Sequence, residues 1–360
     1  MTAPVRVLLV GAGHMGASHG RALAAIPDFD LCGIVTRGDS GVRLADELGG
    51  VDHYDSFDDA LDQLGPDAVA IASYAETHVP YATRALEAGC HVFVEKPLAE
   101  TLTEARSLVD LAARKSRALV VGYILRHHPS WQQFVSLAHE LGKPLVMRMN
   151  LNQQSEGAEW ATHRSIMATT SPLVDCGVHY VDVMTQMTAA RALRVYAIGA
   201  RLSDAIDDDM YNYGQLQVSF DDSSVGWYEA GWGPMMSEAA FFVKDVIGPN
   251  GSISIESGLE SGDASSSDVN VHTATNSIRR HRSALDAAGA FATEDELIAT
   301  DDEPDHDRLC HLEQEWFLEA IRGNTAVAAH LDDVLESLAI VLAADESVRT
   351  GQVVDVDSIR

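Results

Sequence analysis

The chain has 360 residues, 46% of them apolar, four scattered cysteines (Cys32, Cys90, Cys176, Cys310) and a formal charge of −29. That length exceeds what one core usually serves, so two domains are expected. The acidic balance excludes stable nucleic-acid binding and disfavours anionic membranes, and no apolar run reaches the roughly 18 residues of a membrane span.

The opening Met-Thr-Ala-Pro-Val-Arg lacks the charged and apolar regions of a secretory signal, so a cytoplasmic, soluble protein with reduced thiols is expected. In chain order, Val5–Val10, Leu31–Val35, Ala68–Ala72, His91–Val94 and Ala118–Val121 read as strands. Met15–Ala25, Val42–Leu48, Thr77–Ala88 and Leu102–Lys115 have helical spacing between them. Strict alternation of this kind predicts an α/β fold with a doubly wound parallel sheet in residues 1–125.

After Gly142-Lys143-Pro144 the pattern changes to Leu145–Asn152, Val195–Arg201, Tyr211–Phe220, Val225–Trp232 and Ala240–Ile247, joined by turn sequences. Residues 126–360 are therefore expected to form an α+β domain on a large, open, mostly antiparallel sheet for substrate and oligomerisation. Residues 256–308 are rich in Ser, Asp and Gly and read as a surface excursion. The helical segments Leu309–Arg322 and Leu331–Thr350 are expected to pack back on the first domain.

Gly11-Ala12-Gly13-His14-Met15-Gly16 follows the first strand and opens a helix. In that setting G-x-G-x-x-G predicts a Rossmann dinucleotide site: a tight turn at Gly11, close backbone approach at Gly13, helix-on-strand packing at Gly16, and anion-binding N–H groups. The ribose-reading position after the second strand holds Thr36-Arg37 rather than a carboxylate, with Asp39 nearby. NAD or NADP is expected, with a slight lean to NADP or dual use.

Glu95-Lys96-Pro97 ends the strand His91–Val94, and Lys96 is one of only four lysines. Together with the glycine fingerprint it makes the chain resemble the Gfo/Idh/MocA family, the relatives of glucose-fructose oxidoreductase and inositol dehydrogenase. Ser73–His78 matches the family's cofactor loop, Val121-Gly122-Tyr123 with Arg126 and Pro129 its domain junction, and Asp175-Cys176-Gly177-Val178-His179 with Asp182 its D-x-G-x-H-x-x-D signature. Tyr74 and Ser171-Pro172-Leu173 depart from it, where relatives carry proline and glycines.

The resemblance implies that Lys96, Asp175 and His179 are catalytic, and that Gly11, Gly13, His14, Met15, Gly16, Thr36, Arg37, Ser73, Tyr74, His78, Glu95, Lys96 and Pro97 hold the cofactor. If 174–187 is helical, Asp175 and His179 share a face at i and i+4, and the carboxylate can orient the imidazole. His179 then takes a hydroxyl proton while Lys96 stabilises negative charge on the oxygen. Arg126, Trp160 and His163 on the loop before that helix, and Tyr228 on a central strand, are the substrate candidates.

A dehydrogenase acting on a secondary hydroxyl of a sugar, sugar derivative or inositol is expected. The alternatives are a glycoside-cleaving enzyme that oxidises transiently and a sugar sensor of the same fold. No metal is expected at His127-His128 or His306–His311, where no spacing groups three ligands on one face. Trp227, Tyr228 and Trp232 are expected to leave an apolar sheet face that a homodimer or homotetramer covers.

Overall fold

Runs of apolar residues become the strands of two sheets in the computed structural model, which describes residues 3–237, 242–256, 266, 273–300 and 302–360. The chain divides into two compact units, Met1–Ile124 with Pro304–Leu335, and Leu125–Glu303 with Glu336–Arg360. Among the described residues no helix is long and apolar enough to cross a membrane.

In the first unit the order is β1 (Val5–Val10), α1 (His14–Ala25), β2 (Phe29–Val35), α2 (Asp39–Glu47), β3 (His53–Tyr54) and α3 (Phe57–Leu64). Then come β4 (Ala68–Ile71), α4 (His78–Glu87), β5 (His91–Glu95), α5 (Leu102–Lys115) and β6 (Leu119–Gly122). The strands lie side by side as β3-β2-β1-β4-β5-β6, all pairs parallel. Consecutive residues Val7, Leu8 and Leu9 are each fully buried, as a sheet covered on both faces requires. Strand order reverses between β1 and β4, the place where ligands of open α/β sheets sit.

Sequence periodicity misses β3 and α3. Two residues are too few to alternate, and α3 announces itself only through its cap: Ser56 accepts a hydrogen bond from the Asp59 amide, and Gly65 ends the helix at φ +52°. A later helix, α10 (His306–Ile321), joins this unit and packs along α1; its Phe317 lies 6.2 Å from Phe29 and 6.0 Å from Phe93 between ring centroids.

The second unit contains α6 (Pro129–His139), β7 (Val146–Gln153), α7 (Gly157–Ile166), α8 (Pro172–Asp175), α9 (Gly177–Thr188), β8 (Ala192–Ala200), β9 (Tyr213–Phe220) and β10 (Val225–Trp232). It continues with β11 (Lys244–Gly248), β12 (Gly251–Glu256), β13 (Ser277–Arg282) and β14 (Glu296–Ala299), and receives the later turns of α11 (Ala328–Thr350) and β15 (Val354–Asp355). Described residues give a nine-stranded sheet, β14-β13-β12-β11-β7-β10-β9-β8-β15, in which β7 and β10 run parallel and the other pairs antiparallel.

Two expectations need correction here. Residues 277–282 and 296–299 of the supposed excursion extend the sheet as β13 and β14, although 257–265, 267–272 and 301 lie outside the described residues. One buried apolar residue, Ile278, sits between Ile255 and Ile298, and the rest of β13 is polar or charged: Arg279 meets Glu256, Arg280 meets Glu140 and Arg282 meets Glu296. The three aromatics of β10 do not share a face either. Side chains alternate along a strand, so Tyr228 and Trp232 turn inward and are 0% and 1% exposed, while Trp227 looks outward.

Candidate active site

The cofactor cradle is built by backbone. Gly11 sits at φ +105°, and a Cβ there would lie 2.2 Å from the Ala72 carbonyl oxygen at the end of β4. A Cβ on Gly16 would lie 2.3 Å from the Gly11 oxygen. A Cβ on Gly13 would meet nothing within 4 Å. Two glycines are thus demanded by the fold and the third by open space, which is the arrangement a pyrophosphate approaching the backbone needs. The first turn of α1 has no side-chain cap, so its N–H groups are available to an anion. These residues fit a dinucleotide.

His14 is exposed and Met15 half-buried on that first turn. Thr36 accepts a 2.9 Å hydrogen bond from His53 Nε2 through its carbonyl, while Arg37 is exposed and makes no hydrogen bond or ion pair among the described residues. On the neighbouring loop Ser73 Oγ and Thr77 Oγ1 are 2.6 Å apart, Thr77 donates to the Tyr74 carbonyl, and Tyr74 is 55% exposed.

His78 is buried and ties this loop to the next. Its Nδ1 lies 2.7 Å from the Pro97 oxygen and its Nε2 3.0 Å from the Ser73 oxygen. Burial pushes its pKa down and the two carbonyls oppose that shift; in the neutral form the ring donates to one of these carbonyls at a time. Glu95, at the end of β5, is buried too: one carboxylate oxygen is 2.7 Å from His19 Nε2 and the other accepts from the Lys96 amide at 3.1 Å. Lys96 itself is half-buried, on a turn fixed from both sides.

In the second unit Asp175 and His179 stand at a junction of two helices and not inside one. Ser171 caps α8, accepting from the Val174 amide and donating to Asp345 at 2.7 Å, and Pro172 follows at the first helical position. Cys176 keeps helical angles between α8 and α9, so the i, i+4 relation of Asp175 and His179 survives the break. Both are half-buried among buried neighbours.

Trp160 and His163 lie on a helix, α7, and not on the expected loop. The His163 ring stacks on Trp232 at 4.6 Å and 9°, and its Nδ1 is 2.8 Å from Ser155 Oγ. Burial lowers the His163 pKa while the Asp175 carboxylate opposes that shift. Trp232 donates to Gln153 Oε1 at 2.7 Å, and the Cys176 thiol reaches the same oxygen at 3.5 Å. Trp160 lies beside Gly233, the next residue after β10.

Asp175, His163, Ser155, Gln153 and Trp232 therefore form one polar and aromatic shelf at the ends of the parallel strands β7 and β10. Sequence reasoning missed Ser155 and Gln153 and placed Trp232 outside. Period-two alternation in Val225–Trp232 was the available signal, since it sets Trp232 on the face of Tyr228.

Two substrate candidates are corrected. Arg126 forks onto Asp182 with bonds of 2.8 and 2.6 Å, and Asp182 is 1% exposed, so this guanidinium is held within the fold. Tyr228 is 0% exposed and stacked on Tyr180 at 5.0 Å, a core ring without surface to offer.

Comparison with known proteins agrees with this fold. A family described as "Oxidoreductase family, NAD-binding Rossmann fold" matches residues 5–123, and the GFO/IDH/MocA C-terminal domain matches residues 136–254. The scyllo-inositol 2-dehydrogenase (NAD(+)) of Bacillus subtilis is 26% identical, over 98% of this chain and 96% of its own. Inositol 2-dehydrogenase 1 of Saccharopolyspora erythraea is 32% identical over 53% of this chain and 56% of its own. The crystal structure of scyllo-inositol dehydrogenase from Lactobacillus casei, with NAD(H) and scyllo-inositol, superposes with a TM-score of 0.75 at 20% identity, over 98% of this chain and 99% of that one. With both of its halves matched, the chain belongs to the GFO/IDH/MocA family of NAD-binding oxidoreductases.

Proposed function

We propose that this protein is an NAD(P)-dependent dehydrogenase that oxidises a secondary hydroxyl of an inositol, sugar or sugar derivative. The observation that carries the reading is the half-buried Asp175–His179 pair beside a shelf of stacked imidazole and indole, in a chain whose other unit holds a dinucleotide cradle. The half-buried Trp160, Asp175 and His179 have surface to offer a polyol ring, while His163 and Trp232 are buried. The names of relatives support it: two are inositol dehydrogenases, and a third, from Acidithiobacillus ferrooxidans, is UDP-N-acetylglucosamine 3-dehydrogenase at 28% identity over 61% of its length.

The nicotinamide, when bound, accepts the hydride. His179 removes the hydroxyl proton, Asp175 orients its ring, and the Lys96 ammonium stabilises the negative charge on the reacting oxygen. Glu95 and His78 position the turn that carries Lys96 and Pro97, and Gly11 to Gly16, Thr36, Arg37, Ser73 and Tyr74 receive the dinucleotide. Trp160 and His163 receive the substrate. Arg37, exposed and without an ion pair among the described residues where a ribose-binding carboxylate is usual, favours NADP or use of both cofactors.

The outer face of the large sheet favours a homodimer or homotetramer. It exposes Val146, Tyr196, Ile198, Val225 and Ile247 and carries a shallow concavity of about 510 Å³ floored by Trp227 and Gln217. A cytoplasmic location accompanies the reading. The test is reduction of NAD and NADP by the protein with inositols, sugars and glycosides. Reduction with one class supports the proposal; tight cofactor binding without reduction, or glycoside cleavage without it, overturns it.

A further inference from the structure

Beneath the cofactor cradle, α1 and α10 enclose polar groups that the proposed chemistry does not use. His19, Cys310 and Glu313 are all buried, and one ligand atom from each lies within 4.8 Å of the others. Among the described residues neither Glu313 carboxylate oxygen has a hydrogen-bond partner, nor does the side-chain oxygen of the next residue, Gln314. Two orphaned carboxylate oxygens and a thiol in one dry place call for positive charge.

A proton answers this poorly. Placed on Glu313 it leaves the second carboxylate oxygen without a donor. The second carboxylate of the cluster, Glu95, is already committed to His19 Nε2 and to the Lys96 amide. That commitment also fixes the imidazole: with Nε2–H donating to Glu95, the lone pair resides on Nδ1, whose contact is one neutral hydrogen bond with the Gln314 amide at 3.0 Å. A carboxylate behind a histidine is the outer half of a metal site, completed here when the ion displaces the Gln314 amide from Nδ1.

We propose that His19, Cys310 and Glu313 bind one divalent ion of the zinc class, a structural staple between α1 and α10. The donor set, one imidazole nitrogen, one thiolate and one carboxylate, is of the kind zinc takes. Charge closes as well, since thiolate and carboxylate together neutralise a divalent ion. Thiolate and carboxylate bind only when deprotonated, so binding releases protons and weakens as the pH falls. His306, whose ring nitrogens are 3.8 and 3.9 Å from Cys310 Sγ, stands beside the set. No spacing rule reaches from His19 to Cys310, which is why the sequence points to no metal.

The test is metal analysis of the untagged full chain grown with added zinc or added cobalt, then passed over a column with a weak chelator. About one ion per chain is expected. The cobalt form should show a thiolate-to-metal charge-transfer band, and Cys310→Ser and Glu313→Gln should each lose at least about tenfold in occupancy. Stripping should lower the melting temperature and zinc should restore it. Metal-free wild type from both media, with a melting temperature indifferent to chelator and zinc, overturns the proposal. So does metal that both variants retain. The cobalt spectrum of the wild type decides the matter even if a variant fails to fold, and none of these readouts depends on dehydrogenase activity.

Discussion

The two halves of the proposed site are made of different material. In the first unit the cradle is backbone, shaped by glycines at fixed spacing after a strand, and its side chains act mainly as braces, as His78 and Glu95 do. In the second unit the shelf is side chain, assembled from α7, the α8–α9 junction and the ends of β7 and β10. Backbone sites tolerate no added atom where the fold is tight; side-chain sites tolerate truncation structurally but lose their chemistry.

Substitution of Gly11 breaks that comparison first. Gly11→Ala must place a Cβ 2.2 Å from a carbonyl oxygen at a φ of +105°, and the soluble, folded protein should be lost. Gly13→Ala, with free space around its Cβ, should keep its melting temperature and lose roughly 10- to 100-fold in cofactor affinity by fluorescence titration, about 1.4–2.8 kcal/mol. Equal effects at the two positions would contradict the division of roles.

The side-chain half predicts the reverse pattern. His179→Ala should lower kcat by roughly 10²- to 10⁴-fold while cofactor binding and melting temperature hold. Asp182→Asn strands the Arg126 cation and should cost about 3–5 kcal/mol in urea unfolding, while replacing both residues by apolar ones should cost less.

Acid sharpens the comparison further. Burial, aided by the Arg126 cation, lowers His127 to about 4. The unfolded chain takes that proton near pH 6.5 and the folded one only near 4, so the stability linked to neutral His127 is full above pH 6.5 and is lost as the pH falls towards 4. Up to about 3 kcal/mol is at stake, and His127→Gln should flatten the stability profile in that window. The smallest expected effect is at Arg37: Arg37→Ala should shift the ratio of the NADP and NAD KM values towards NAD by about tenfold, near 1.4 kcal/mol.

What was legible in the sequence follows the same division. Val5–Val10 and Leu102–Lys115 were bounded correctly because burial on two faces, or on one stripe, leaves its period in the chain. The glycine fingerprint was legible because one strand-turn-helix carries it at fixed spacing, although the Ala72 oxygen that forbids a Cβ at Gly11 is brought there by folding. Arg126 and Tyr228 were misjudged because their partners, Asp182 and Tyr180, are brought to them by folding. Gln153 and Ser155 carried no signal of their own; the β7–β10 register, which sets Gln153 opposite Trp232, gives them their place.

The central claim is that a carbinol hydride leaves the substrate for the cofactor while His179 takes the proton. The direct measurement is isotope transfer from inositols and sugars deuterated at their carbinol carbons, read by mass spectrometry of the reduced cofactor. The account predicts deuterium in the cofactor with wild type and its near absence with His179→Ala. Deuterium transferred equally by both proteins, or by neither when cofactor is tightly bound, would contradict it.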